Sequence, residues 1–250
     1  DNHKLLTSRD VDEFRERITR VAGPHSIDVR RGREAAFDAT LAVAPVGGVN
    51  LGYADYGRKV ETLVGNGGGH ADAFLVCLPT RGGGVMRQSG ESWAVGTGSA
   101  LVRDMRLPMS GEMEDAAVLF AFMPLDALVQ RAAAMIGSDE PAAGGVRFAP
   151  TIDTTSPRGR HLVRALTWAA EELDGPLGLS GSPLAVANLE AFILGQFLTL
   201  QPNSMMDALR AGLRSGALPF HVKRARDYIH ANADRPVSVE DLARHAGCAY

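Results

Sequence analysis

The chain is short of cysteine, of uncharged apolar runs and of excess charge, and each shortage removes a class of protein. Two cysteines occur among 250 residues, Cys77 and Cys248, far apart and in different contexts. They do not make a disulfide framework, and such sparse thiols fit a reducing cytoplasm. No Cys-x-x-Cys pair and no histidine-rich cluster offers a zinc site. No apolar run reads as long enough to span a membrane. Asp1-Asn2-His3-Lys4 does not begin a secretory signal, and a start at Asp1 rather than Met points to residues missing upstream. Twenty-six Lys and Arg against 29 Asp and Glu leave a net charge of −3. That excludes a nucleic-acid-coating protein but not a small DNA-binding module. Internal repeats and low-complexity segments are lacking too.

What is present suffices for an ordinary core: 45% of residues are hydrophobic and 22% charged. Val11, Phe14, Ile18 and Val21 recur at helical spacing and predict a short amphipathic helix over Arg9–Val21. From about residue 25 to 123 the pattern changes to short β-prone runs: 43–45, 49–56, 59–64, 73–78, 84–88, 92–95, 100–104 and 117–122. Glycine-rich breakers divide them, Arg81-Gly-Gly-Gly84, Gln88-Ser-Gly-Glu91 and Gly96-Thr-Gly98 among them. Strands of this length and spacing predict a sandwich or barrel. Helical periodicity returns at Pro124 and runs to Ile136. After a loop rich in Gly, Pro and Asp, two longer helices are predicted. One covers about 158–172, with Leu162, Leu166 and Ala169 as its stripe. The other follows Ser182-Pro183 and carries Leu189, Phe192, Ile193, Phe197 and Leu200. Strands first and helices after make the fold class α+β.

The most specific stretch is the last thirty residues. Val222, Ala225, Tyr228 and Ile229 give a helix an apolar face, ending near Asp234-Arg235-Pro236. Ser238 then stands as a helix N-cap with Asp241 at N3, a capping-box variant. Leu242, Ala243 and Ala246 follow as inward residues, and Gly247 supplies a left-handed stop. Helix, short turn and helix with small residues at the crossing is how a helix-turn-helix begins. The tail is mildly basic: residues 220–250 hold five Lys or Arg against four Asp or Glu. The run 222–232 followed by 236–247 resembles the first helices of the AraC/XylS DNA-binding domain. Ala249 departs from that family's usual serine at the next helix cap.

A second resemblance joins the first. Residues 73–82, 88–91 and 93–102 are similar to the AraC-type effector domain, a cupin-like β-barrel, over roughly 25–200. The resemblance implies an effector-binding and dimerising domain over 1–200, with the barrel at about 25–123 and helices at 124–200. A linker over 201–219 and an incomplete helix-turn-helix domain over 220–250 complete it. It implies a dimer contact through the helices at 158–200, here Leu189, Phe192, Ile193, Gln196, Phe197 and Leu200. It places Lys223, Arg224, Ser238 and Arg244 in the DNA-binding part. The partners implied are promoter DNA for the complete protein, a small organic effector such as an aromatic or aliphatic acid, a second copy of the chain and RNA polymerase.

For the effector, Arg87, Trp93 and Arg103 lie in predicted barrel strands. A guanidinium in an apolar cavity would hold a carboxylate with two donors, and Trp93 would form an apolar wall. The bland alternative is two solvent-facing arginines and a core tryptophan. His70 with Asp72 invites a metal reading, but a cupin site needs more than one histidine. The glycine clusters at 65–69 and 81–84 lack a following Lys-Ser/Thr and read as a loop and hairpin turns. Gly178-Leu-Ser-Gly-Ser182 lacks the second glycine of a nucleophile elbow. Cys77 reads as an inert core thiol. No cofactor, metal or catalytic set is expected, and hence no enzyme. The combined expectation is a one-component transcription regulator. A metal-free ligand-binding module and a cupin-type enzyme stand as alternatives, the latter predicting bound metal and turnover.

Overall fold

The computed structural model describes residues 3–22, 26–30, 37–58, 60–65, 72–137, 145–175, 182–214 and 220–247. Its elements run β1 (Lys4–Ser8), α1 (Val11–Ala22), β2 (Ser26–Val29), β3 (Ala39–Val46), β4 (Val49–Asp55), β5 (Glu61–Gly65), β6 (Ala73–Gln88), β7 (Glu91–Gly96), β8 (Ser99–Asp104) and β9 (Met109–Pro124). There follow α2 (Leu125–Ile136), β10 (Thr151–Asp153), α3 (Pro157–Asp174), α4 (Pro183–Leu200), α5 (Met206–Arg214), α6 (Phe220–Ala231) and α7 (Val239–Ala246).

Two long strands organise the sheet. β6 and β9 pair antiparallel along their whole length, from Ala73 opposite Pro124 to Gln88 opposite Met109. The first half of β6 also pairs β8, and its second half pairs β7. In β9 the order is reversed: residues 110–114 pair β5 and residues 117–122 pair β4. The two long strands are therefore shared by a sheet β1-β3-β4-β9-β6-β8-β10 and a smaller one built from β2, β5 and β7. Leu41, Ala54, Leu75, Leu101 and Phe120 of the first meet Ile27, Met86, Val95, Met109 and Met113 of the second in one buried cluster. The two sheets thus face each other around a buried, largely apolar interior.

The corner of this fold lies where β6 and β9 change partners, and its register slips between Pro79 and Gly83. Gly82 has φ +65° and Asp115 φ 52° there. A Cβ on Gly84 would stand 1.8 Å from the Glu112 carbonyl oxygen, so only glycine admits this close crossing. The Arg81 guanidinium holds the corner with both Asp55 oxygens, at 2.6 and 2.9 Å, and with Asp115 at 3.1 Å. Arg81-Gly-Gly-Gly84 is therefore a bend inside one strand, not the expected hairpin turn. The expected strands 73–78 and 84–88 are its two halves. Gln88-Ser-Gly-Glu91 is a true two-residue hairpin, with φ 53° at Ser89 and 82° at Gly90 as a type I′ turn requires.

The other face of the larger sheet is covered by helices. Phe74, Val76, Leu78, Val102 and Met123 pack there against Leu128, Leu162, Leu166, Ile193, Phe197 and Leu209. Strands buried on both faces lose alternation, which is why 73–78 reads as a continuous apolar run. The expected linker at 201–219 begins as core instead. Gln201 is buried, its amide donating to the Ala149 and Thr151 carbonyls, and Met205 and Leu209 of the α5 region are buried. α4 also corrects the expectation about apolar runs. Its 18 residues, with a mean hydropathy of 1.4, are long and apolar enough to cross a membrane. Six of them are buried within this fold, and α4 packs on α2, α3 and α5.

Candidate functional site

Along β8 the side chains alternate between two environments. Ala100 and Val102 face the helices, whereas Leu101 and, just beyond the strand, Met105 join the interior cluster between the sheets. Arg103 shares their alternation and stands opposite Leu75. It is 1% exposed and the bulkiest of the fully buried side chains. Its Nε and Nη2 have no hydrogen-bond partner among the described residues. An unpartnered buried charge costs several kcal/mol, so such a group marks either a stored penalty or a missing ligand.

The groups around it share the same electrostatics. Burial lowers the Arg103 pKa, while the neighbouring Cys77 and Tyr56 work against that fall. Burial pushes the Cys77 thiol up to about 11 although Arg103 pulls it down. Burial also raises the Tyr56 phenol, which Arg103 opposes in turn. Both groups are thus neutral at pH 7 and supply no counter-charge. The two unpaired nitrogens lie on one edge of the guanidinium, where two N–H bonds point in parallel at a spacing that matches the two oxygens of a carboxylate. Phe120, Leu75 and Met105 make the surroundings apolar. α1 closes the interior beside Tyr56. Phe14 is 1% exposed and meets the rings of Phe37 and Tyr56 edge-on at 5.6 and 5.4 Å.

Of the three residues picked from sequence for a ligand, Arg103 lies within this interior and Trp93 is half-buried against it. Arg87 does not join them. It is exposed between buried Met86 and Gln88, on the outer face with Arg30, Glu61 and Glu112. The sequence pattern does not mark Tyr56, and it reads Cys77 only as core packing. Both follow from alternation once the strand faces are known. Among the described residues no three His, Cys, Asp or Glu side chains gather to hold a metal, and His70 lies outside those residues.

The stripe expected at a dimer contact divides. Leu189, Ile193 and Phe197 are 4%, 1% and 0% exposed and belong to the core under the sheet. They are therefore corrected from interface to core. Phe192, Gln196 and Leu200 remain partly exposed, and Phe192 lies edge-on to Trp168 at 5.4 Å.

At the C-terminal end α6 and α7 pack on one another. Ser238 caps α7, its hydroxyl accepting from the Asp241 amide at 3.0 Å and donating to the Asp241 carboxylate at 2.7 Å. The Ser238 hydroxyl bond, outweighing a small desolvation effect, and the Arg244 charge hold the Asp241 carboxyl below its usual value. Arg244 is exposed and 3.1 Å from Asp241. Gly247 ends the helix with φ 72°. Tyr228 and His245 stack at 3.8 Å across the pair. Val222, Ile229 and Val239 are exposed, so the apolar face read on α6 is only partly covered. The Lys223 side chain and residues 248–250 lie outside the described residues.

This architecture has known counterparts. The chain is 27% identical over 249 residues to the probable thc operon regulatory protein of Rhodococcus erythropolis, covering 98% of this chain and 72% of that one. The crystal structure of the AraC-like transcriptional activator CuxR matches with a TM-score of 0.56 at 16% identity, over 98% of this chain and 85% of that one, which shows a shared fold. The family of AraC-binding-like domains matches residues 14–199, from the helix that closes the interior to the end of α4, and the chain belongs to it.

Proposed function

We propose that this chain is the sensing part of a transcription regulator in which a small carboxylate, seated inside the barrel on Arg103, controls how the α6–α7 hairpin meets promoter DNA. The observation that carries the effector reading is the fully buried guanidinium with an unpaired edge. A carboxylate would satisfy that edge and neutralise the charge, while Trp93, Phe120 and Leu75 would contact an aromatic or aliphatic body. Family membership and the regulatory relative support the role in transcription. The capped helix pair at 220–247 supports the first part of a helix-turn-helix, with Arg224, Ser238 and Arg244 on its surface. The protein would act in the cytoplasm as a dimer without a cofactor, with RNA polymerase as a further partner. Effector binding shifts the DNA-binding equilibrium only as far as its affinities for the two arrangements differ.

The test takes the full-length gene product and the DNA upstream of its own operon, with fluorescence anisotropy as readout and salt titrated against random DNA of equal length. The expected result is a preference of about a thousandfold for the upstream DNA at fixed salt. A panel of aromatic and aliphatic monocarboxylates should change that preference, and the Arg103→Met variant should not respond. Binding of monocarboxylates that Arg103→Met retains in full would remove the effector reading. Equal affinity for both DNAs, with and without carboxylate, would remove the regulator reading.

A further inference from the structure

We infer that a cleft between α3 and the β6 and β9 strands beneath it is a second ligand site, separate from Arg103, and that it takes a small organic phosphate monoester. The inference goes beyond the carboxylate reading and does not depend on it.

The cleft has a volume of about 370 Å³, within the range of small-molecule sites. Leu78, Pro79, Leu119 and Val163 give it an apolar wall. Helix α3 lines it with Arg160, Val163, Arg164 and Thr167, at positions i, i+3, i+4 and i+7 that share one face of a helix. Thr97 of the β7–β8 turn and Thr154, which leads toward α3, complete the rim. The Thr154 hydroxyl donates to the Thr97 carbonyl at 2.8 Å and its amide to the Gly98 carbonyl at 3.2 Å, so this side is fixed in place.

Charge and donor direction name the occupant. Arg160 and Arg164 lie one helical turn apart and repel each other, and the first turn of α3 holds no acid to offset them. No carboxylate lines the cleft among the described residues. Asp153, just before α3, is taken up elsewhere. Its Oδ1 accepts from the Thr155 hydroxyl at 2.6 Å and from the Thr155 and Ser156 amides at 2.9 and 3.2 Å. Arg160 gives one N–H to the Thr155 carbonyl. The Arg164 guanidinium and the Thr97 and Thr167 hydroxyls form no hydrogen bond or ion pair among the described residues.

These donors approach from α3 and from the facing turn, in more than one plane, which matches a tetrahedral anion. A phosphate monoester brings three acceptor oxygens and a charge of about −1.5 to −2 at neutral pH, enough to neutralise both arginines. A carboxylate would neutralise one. The Thr80 hydroxyl donates to the Ala117 carbonyl at 3.1 Å, so it and the Thr154 hydroxyl keep lone pairs that can accept from a hydroxyl on the ligand. The apolar wall gives an organic body a surface to cover.

Isothermal titration calorimetry on the full-length protein tests this with phenyl phosphate as the probe, and circular dichroism verifies folding. Saturable binding with a Kd below about 1 mM is expected. Inorganic phosphate should bind about tenfold more weakly or worse, because it leaves the apolar wall uncovered. Arg160→Gln and Arg164→Gln should each weaken phenyl phosphate by about tenfold or more, the loss of one charge-assisted contact. Arg158→Gln removes an exposed arginine of the same helix that does not line the cleft, and should bind as wild type does. Arg103→Met should also keep wild-type affinity. No binding by wild type up to about 10 mM would overturn the site. Equal binding of inorganic phosphate would overturn an organic ligand. Loss in Arg158→Gln as large as in Arg164→Gln would reduce the effect to diffuse surface charge, and loss in Arg103→Met alone would move the phosphate into the barrel. Failure of the cleft leaves the carboxylate reading standing, since benzoate binding and its loss in Arg103→Met are measured on the same proteins.

Discussion

Arg103 owes its position to β8, both of whose faces are buried, so its neighbours give no hint from sequence of which way it points. Ala100, Leu101 and Val102 are apolar whichever face they serve. Arg87 was more legible, since Met86 and Gln88 beside it are buried and alternation sends it outward. Replacing Arg103 with Met keeps the volume and removes an unpartnered charge. Urea unfolding should show the unliganded variant more stable than wild type by about 1–4 kcal/mol. A loss of several kcal/mol instead would mean that the guanidinium is already satisfied. Cys77 gives a second expectation. Its thiol is held up to about 11 against an ordinary 9.0, so the folded state keeps a proton that the unfolded chain releases. Stability should be unaffected by this group below pH 9 and fall as the pH rises from 9 toward 11. Tyr56 adds to the fall only above its ordinary 10.0. Thermal midpoints of Cys77→Ala should therefore decline less than wild type between pH 9 and 10.

Among elements, those with clean periodicity were legible and those defined by close approach were not. α1 to α4 follow from apolar spacing and caps, and Ser156 and Ser182 do cap α3 and α4. α5 was hidden because Pro202 and Gly212 read as breakers. A Cβ on Gly212 would lie 2.8 Å from the Met135 carbonyl oxygen, so that glycine lets α5 approach α2. The short strands β1, β2 and β10 carry too few residues to show a period, and the β6 bend looked like a turn because three glycines lie in a row. Gly159 tests this account. It sits in the first turn of α3, where a Cβ would come within 1.9 Å of the Asp153 carbonyl oxygen, a backbone atom unable to yield. Gly159→Ala gains up to about 1 kcal/mol of helix propensity but should lose more to overpacking, for a net cost of about 1–2 kcal/mol by urea unfolding. Gly195→Ala in α4 is the contrast. The nearest atoms to its Cβ would be the Arg131 guanidinium end, from 3.4 Å, which can move, so it should be neutral or slightly stabilising.

At the scale of the whole molecule, the order of strands, helices and capped pair was legible, but which side of α4 lies in the core was not. An apolar stripe alone cannot say whether it faces the core of its own fold or another chain, and Leu189, Ile193 and Phe197 face the core. The layers are joined at β8. Its Val102 amide donates to the Pro150 carbonyl at 2.8 Å, and its Ala100 pairs Ile152 of β10. The Thr154 hydroxyl donates to the Thr97 carbonyl at 2.8 Å, just before β8, and Ser156 then caps α3. The strand that carries Arg103 is thus hydrogen-bonded to the segment that starts the helix bearing Trp168. If a carboxylate on Arg103 alters DNA affinity by some factor, DNA must alter carboxylate affinity by the same factor. Titrating carboxylate with and without saturating operator should return that equality. Thr154→Val removes one strut without touching the interior. It should leave carboxylate affinity of the DNA-free protein near wild type and reduce the factor in both directions together. An unchanged factor would mean that coupling bypasses β8 and runs through α1, which covers the same interior from its other side.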